Sequence, residues 1–178
     1  MVTGQAVLAP ELQLVPAWAT FVTSMFLHGG LVHLASNLLF LWVFANNVED
    51  RLGHFRFAFL YLAAGLAAAG LQILPDPAST VPMIGASGAL SGVLGAYFML
   101  FPRARVVVFF PFSFMLLHEM RAAWLLAIWF GFQLLSAFTA PAGAGVAWWA
   151  HVGGFVAGAV LVMPLSHRRL LRRRGPWG

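Results

Sequence analysis

One serine lies where a nucleophile would be activated. Ser87 is part of Gly85-Ala86-Ser87-Gly88, directly after a loop and at the predicted first turn of a helix. The glycines leave its hydroxyl unobstructed, and the unpaired N–H groups of a helix N terminus favour a developing oxyanion. A serine hydroxyl needs a base to take its proton, and neutral histidine is the usual base at physiological pH. His151 is the candidate base, because it lies near the start of another predicted helix.

Two further polar side chains could stabilise the charge that such a reaction develops. His33 and Asn37 are four residues apart in sequence, so they share one face of a helix. A side-chain donor of this kind stabilises a tetrahedral intermediate by roughly 3 kcal/mol. None of the carboxylates lies close to His151 in sequence; they are Glu11, Glu49, Asp50, Asp76 and Glu119. The residues therefore predict acyl transfer by a Ser–His dyad.

The composition shows what must position these side chains. Of 178 residues, 61% are hydrophobic and 8% are charged, against about 25% charged in soluble domains. This composition excludes a soluble enzyme, a coiled coil and a disordered chain. Cysteine is absent, which excludes disulfides and thiolate metal sites. The uncharged stretches are long enough to cross a bilayer; they are 12–48, 57–75, 77–102 and 122–167.

Proline and glycine divide these stretches into helices. The punctuation predicts an all-α, polytopic membrane helix bundle, a single membrane-embedded domain over 1–178 with five transmembrane helices. The predicted spans are 31–48, 57–74, 87–101, 122–138 and 148–166.

The arginines predict the orientation of this bundle. All ten basic residues are arginines, and they fall in 49–56, 102–121 and 167–178, which alternation places on one side. The positive-inside rule makes that side cytoplasmic, so 1–30 is an external N-terminal segment. The basic tail 167–178 is then a cytoplasmic lipid anchor rather than a nucleic-acid site. The apolar run 106–117 contains a proline and is read as an interfacial cytoplasmic loop.

The predicted topology brings the polar residues to one depth at the outer ends of three helices. Gly88 and Gly92 form one GxxxG pattern, and Gly154 and Gly158 form another. Small residues at this spacing let transmembrane backbones approach closely, so we expect these two helices to pack directly and to bring the serine and His151 within reach.

Two further groups of residues are given structural roles. Helix–helix hydrogen bonding is assigned to Gln72, Gln133 and Ser136, and interfacial anchoring to Trp124, Trp129, Trp148 and Trp149.

Four motifs together resemble the rhomboid intramembrane serine proteases of the prokaryotic type. They are His28-Gly-Gly-Leu-Val-His33-Leu-Ala-Ser-Asn37, Val48-Glu-Asp-Arg-Leu-Gly53, Gly85-Ala-Ser-Gly88 and Ala150-His-Val-Gly-Gly154. The motifs occur in the family's order, and the resemblance covers about residues 17 to 167.

The resemblance implies a role for each site residue. Ser87 is the nucleophile, His151 is the general base and acid, and the oxyanion hole comprises His33, Asn37 and the Ser87 backbone N–H. Members of the family cut transmembrane proteins near the outer membrane face and need no cofactor. The expected partners are therefore transmembrane substrates and the lipid bilayer, with no nucleic acid. The family analogy also makes the loop 139–147 and the span 122–138 the expected moving parts.

The sequence departs from the family pattern in two places. The family core has six spans, and we expect the first to be missing here. Many members carry an aromatic residue one turn after the nucleophile, where this chain has Ser91. Arginine without lysine, with abundant alanine and glycine, favours a prokaryote, so we expect a multi-pass protein of the cell (inner) membrane with a cytoplasmic C terminus.

Two other functions remain open from the residues. A membrane zinc hydrolase could use His28, His33 and His151, although the chain lacks the HExxH motif. A rhomboid-like protein could instead bind transmembrane helices without cutting them. A transporter is disfavoured, because the spans show no inverted repeat.

Overall fold

The structure, a computed structural model, describes residues 15–79, 81–109, 117–141 and 145–166. In chain order its elements are α1 (Thr20–Thr23), α2 (Leu31–Leu52), α3 (His54–Ile73), α4 (Ser87–Leu100), β1 (Arg105–Phe109), β2 (Leu117–Arg121), α5 (Ala122–Thr139) and α6 (Trp148–Leu165). The predicted basic tail at 167–178 lies outside the described residues, as do residues 1–14, so both stay predictions.

The five long helices lie where the sequence predicted them. The largest difference is at the connection of α2 and α3, which was predicted as a charged loop over 49–56. Instead α2 continues to Leu52 and α3 begins at His54. Only Gly53 separates the two helices, and its φ of 80° provides the turn. Charged residues at this end therefore extend both helices rather than interrupting them.

The helices differ in how far they could reach across a bilayer. Within the described residues, four helices are long and apolar enough to cross: α2, α3, α5 and α6. Helix α4 has 14 residues, which corresponds to about 21 Å at a rise of 1.5 Å per residue. The hydrocarbon core is about 30 Å thick. The protein is thus a polytopic membrane helix bundle, while the count of five spans stays a prediction.

Helix α4 is the centre of the bundle. Every residue from Ala89 to Tyr97 is buried, and α2, α3 and α6 pack around the helix. Because α4 is short and covered, its N-terminal residue Ser87 lies inside the bundle rather than beyond its surface.

Glycines let the backbones of α4 and α6 touch, as the two GxxxG patterns predicted. A Cβ atom built on Gly154 would overlap the carbonyl oxygen of Gly88, and one built on Gly158 would overlap that of Gly92. Gly95 makes the reciprocal contact, because a Cβ there would overlap the carbonyl oxygen of Phe155. Alanine or any larger residue at these positions would force the helices apart.

The connection between α4 and α5 contains a β-hairpin that the sequence analysis did not anticipate. Strands β1 and β2 pair antiparallel, with Arg105 opposite Arg121 and Phe109 opposite Leu117. Arg105 also forms an ion pair with Glu119 at 2.9 Å. The segment 106–117 was predicted as an interfacial loop; its ends are strands, and residues 110–116 lie outside the described part.

Short helical turns precede α2 and pack under the loop before α4. They comprise α1 and two 3₁₀ turns, Ala17–Ala19 and Ser24–Phe26. Met25 is buried against α3, and the Ser24 carbonyl accepts a hydrogen bond of 2.9 Å from the Gly85 N–H. This part of the predicted external segment therefore supports the loop that leads to Ser87.

The backbone contact between α4 and α6 predicts a large stability difference between two glycine substitutions. Gly158→Ala should lower the free energy of unfolding by about 1–3 kcal/mol, because the new methyl group meets a carbonyl that cannot move alone. Gly131→Ala on α5 is the control, since nothing lies within 4 Å of a Cβ there. Thermal unfolding in detergent measures both. Equal melting temperatures for the two variants would contradict the packing described.

Candidate active site

Ser87 and His151 are in hydrogen-bond contact at the N-terminal ends of the packed helices α4 and α6. Ser87 is the first residue of α4, and His151 lies in the first turn of α6. The Ser87 Oγ and His151 Nε2 atoms are 2.9 Å apart. The residues are 64 positions apart in the chain, so the contact depends on the close approach of the two helices.

A glutamine on α5 contacts the other nitrogen of the same ring. The Oε1 atom of Gln133 lies 2.7 Å from His151 Nδ1. A carbonyl oxygen can only accept, so the Nδ1–H donates to Gln133 and the Nε2 lone pair faces the Ser87 hydroxyl. In this protonation state, Nε2 can take the serine proton.

From the sequence, Gln133 is predicted only to link helices. Its contact with His151 was not visible from the sequence, because the two residues lie on different helices. Gln72 does have a linking role: its Oε1 accepts a 3.1 Å hydrogen bond from the Ala150 N–H at the start of α6. Ser136 is buried on α5, and its role in linking helices stays a prediction.

His33 lies against the loop that precedes the serine. Its Nδ1 accepts a 3.4 Å hydrogen bond from the Gly29 N–H, which leaves Nε2 to carry the ring proton. A Cβ built on Gly85 would lie 2.8 Å from both His33 Cε1 and His33 Nε2. The protonated edge of the His33 ring therefore lies beside the backbone two residues before Ser87.

Asn37 is buried on the same face of α2. Its Nδ2 donates to the His33 carbonyl at 3.0 Å, a bond within its own helix. An amide nitrogen carries two N–H groups, so this bond uses one of them. The role of Asn37 as an oxyanion donor stays a prediction.

The residue one turn after the serine forms a hydrogen bond within its own helix. The Ser91 hydroxyl donates to the Ser87 carbonyl at 2.7 Å, along α4. Two tryptophan rings lie beside the histidine ring. The ring centroid of Trp129 on α5 is 6.1 Å from that of His151, and the Trp148 centroid is 6.2 Å away. These two tryptophans were interpreted as interfacial anchors, and the structure adds a contact with the histidine ring.

The three histidines of the zinc hypothesis do not form a ligand cluster. His28 and His33 pack edge to face, with ring centroids 5.2 Å apart. In the described part of the chain, no three side chains of the histidine, aspartate, glutamate or cysteine type are grouped so as to hold a metal ion. The geometry therefore gives this hypothesis no support.

A small cavity lies against the serine. Its volume is about 20 Å³, which is enough for one water molecule. Ser87, Gly88 and Ala150 line it from one side, and Ser24 and Met25 from the N-terminal turns line it from the other. The arrangement thus brings together a serine hydroxyl, an imidazole nitrogen and room for one water molecule.

The chain resembles known proteins of one family in sequence. Residues 16–168 match the sequence model of the Rhomboid domain. The mitochondrial Rhomboid protein 1 of Saccharomyces cerevisiae is 30% identical over 174 residues, which cover 89% of this chain and 46% of that protein. The Rhomboid protease GluP of Bacillus subtilis is 42% identical over 79 residues, which cover 44% of this chain and 15% of that protein.

A plant relative shows a similar partial match. The chloroplastic Rhomboid-like protein 11 of Arabidopsis thaliana is 42% identical over 78 residues, covering 44% of this chain and 28% of that protein. The chain spans less than half the length of these curated relatives.

The position of Gly85 predicts that an added methyl group disturbs the serine loop. Gly85→Ala should lower the rate at which a fluorophosphonate labels Ser87 by at least about tenfold, because φ is 118° and the His33 ring leaves no room. Gly30→Ala is the control, since its backbone is extended and a Cβ there meets nothing within 4 Å. Equal labelling of the two variants would show that the loop tolerates the change.

Proposed function

The chain belongs to the rhomboid family, and from this premise we propose that it is an intramembrane serine endopeptidase that cuts transmembrane proteins. The observation that carries the proposal is the 2.9 Å contact between Ser87 Oγ and His151 Nε2 within a bundle of apolar helices. An ionisable side chain buried among membrane-spanning helices is costly, so its presence there indicates a functional role.

In the first step, the Ser87 oxygen attacks the carbonyl carbon of the scissile peptide bond. His151 Nε2 takes the hydroxyl proton as the new C–O bond forms. The carbonyl oxygen becomes an oxyanion, for which we propose the Ser87 backbone N–H, His33 and Asn37 as donors. The start of α4 favours this charge, because the N–H groups of the first helical turn have no partner within the helix.

The second step releases the amine and leaves an acyl-enzyme. His151 returns its proton to the departing nitrogen as the C–N bond breaks. A water molecule then attacks the ester carbonyl and gives a proton to His151. The Ser87 oxygen departs and recovers that proton, so the enzyme is unchanged after each turnover. The cavity beside Ser87 is a place from which such a water could approach.

The proposed substrate is a transmembrane helix with a weak point near the membrane surface. Helical amides are hydrogen-bonded and hidden, so the substrate must unwind locally before Ser87 can reach a carbonyl. A helix cannot enter the packed pair α4 and α6, whose backbones are in contact. The family analogy favours entry beside α5, with the loop 139–147 as a second moving part.

The proposed orientation follows the distribution of charge over the bundle. Ser87 and His151 begin α4 and α6, while Arg56 at the opposite end donates to the Leu165 carbonyl at the end of α6, at 3.4 Å. Arginine enrichment at that end supports a cytoplasmic side there and a cytoplasmic C terminus. Helix α4 is then also a span, which brings the number of spans to five. It is short because its N terminus ends inside the bundle.

The protein is an integral membrane protein, and we propose the prokaryotic cell membrane as its location. The relatives named above include mitochondrial and chloroplastic proteins as well as a bacterial one. The arginine-rich, lysine-free composition supports the prokaryotic choice.

The dyad is tested by removing each member separately. Ser87→Ala and His151→Ala should each abolish cleavage of a test transmembrane substrate in proteoliposomes, because the first step needs both the attacking oxygen and the base that takes its proton. A fluorophosphonate should label the wild type but not Ser87→Ala. Gln72→Met serves as the folded control, since it removes a hydrogen bond to α6 without touching either residue. Cleavage by Ser87→Ala would refute the dyad, and an unlabelled, inactive wild type would favour the helix-binding alternative.

The oxyanion role of Asn37 gives a different expectation. Asn37→Ala should still be labelled, because Ser87 and His151 are intact, but kcat should fall about 100-fold, the usual loss for one such donor. Asn46→Ala is a matched control, as Asn46 makes the same type of bond within α2, to the Trp42 carbonyl. If both variants turn over at the same rate, Asn37 is not an oxyanion donor.

A further inference from the structure

Helix α5 contains a buried polar residue, Gln133, that has no role in the Ser–His mechanism proposed above. Gln133 is 4% exposed, and its carbonyl oxygen lies 2.7 Å from His151 Nδ1. Most other residues of α5 are apolar, and the other buried polar side chain of the helix is Ser136, one turn later. Buried polar groups are normally paired, and here the partner is the imidazole that faces Ser87.

The pairing decides which nitrogen of His151 carries the proton. A neutral imidazole has one N–H and one lone pair, and the partner of one nitrogen fixes the state of the other. Since the Gln133 oxygen can only accept, the proton lies on Nδ1 and the lone pair on Nε2. The opposite tautomer would point an N–H at the Ser87 hydroxyl, and no proton could then be taken from it.

The aromatic rings packed beside His151 cannot replace this acceptor. The rings nearest His151 are those of Trp129 and Trp148, and neither offers an acceptor to Nδ1. A buried N–H left without a partner costs about 1–3 kcal/mol. Without the Gln133 oxygen, the ring would therefore turn, or move its proton to Nε2.

We propose that Gln133 is a positioning residue that holds His151 in the tautomer able to deprotonate Ser87, in the place that a carboxylate takes in a Ser–His–Asp triad. This assignment rests on the proposed serine protease function. The neutral amide supplies direction without burying a negative charge, which would be costly in an apolar bundle.

Two substitutions at the same position separate positioning from mere packing. Gln133→Met keeps the length of the side chain and removes the acceptor, so kcat should fall about 10- to 100-fold with little change in KM. Gln133→Glu restores an acceptor, so it should recover part of kcat although it buries a carboxyl group and lowers the melting temperature. Activity should therefore rank Gln133→Glu above Gln133→Met, while stability ranks them in reverse.

A purely structural role predicts the other order, because activity would then follow stability. Gln72→Met is the matched control: Gln72 also links two helices, through the Ala150 N–H next to His151, but it does not touch the ring. It should lose stability to a similar degree and keep most of kcat. An unchanged kcat in Gln133→Met, or an equal loss in Gln72→Met, would overturn the assignment.

A spectroscopic measurement tests the tautomer without any turnover. Nitrogen NMR on protein with ¹⁵N-labelled histidine, with the His151 signals identified from His151→Ala, should show a protonated Nδ1 in the wild type. Gln133→Met should give a mixture of tautomers. The same Nδ1–H signal in both proteins would overturn the inference even if Ser87 proves essential for cleavage. Conversely, if the tautomer changes in Gln133→Met but the wild type cuts nothing, the positioning is upheld and the proposed function is rejected.

Discussion

The contact between the backbones of α4 and α6 is the constraint on which the site depends. Glycines at the interface let the carbonyl groups of Gly88 and Gly92 lie directly against Gly154 and Gly158. In lipid, helices gain little from burying apolar side chains against each other, so close packing of small residues is the main attraction. A side chain inserted anywhere along this interface would lengthen the 2.9 Å separation between Ser87 and His151.

Three polar side chains around this pair are hydrogen-bonded within the bundle. Gln72 accepts from the first turn of α6, Ser91 donates to the Ser87 carbonyl, and Gln133 accepts from His151. Each bond meets a requirement that water would meet in a soluble protein, because unpaired polar groups are costly in an apolar interior. The bond to Gln133 also fixes the direction of the His151 ring, so at this one bond stability and the proposed chemistry coincide.

Much of the fold could be predicted from the sequence, because charge, proline and glycine mark the ends of apolar helices. The approach of Ser87 to His151 was also predictable, since the GxxxG patterns identify which faces touch. The contact between Gln133 and His151 could not be predicted, because sequence spacing does not show how α5 is rotated against α6. The hairpin β1–β2 could not be predicted either, because a short apolar run with an internal proline has no clear period.

The location of Gln133 on α5 has a mechanical consequence. Ser87 and His151 are fixed to each other by backbone contact, whereas α5 is held to α6 mainly through rings, such as Phe130 stacked on Phe155 at 4.6 Å. Moving α5 outward by about 1 Å would stretch the 2.7 Å bond to His151 beyond hydrogen-bonding length. Opening the bundle at α5 would then also release the histidine ring. Under the proposed mechanism such a coupling is an interlock: His151 is held in place only while α5 is closed, so Ser87 is not activated while the bundle is open.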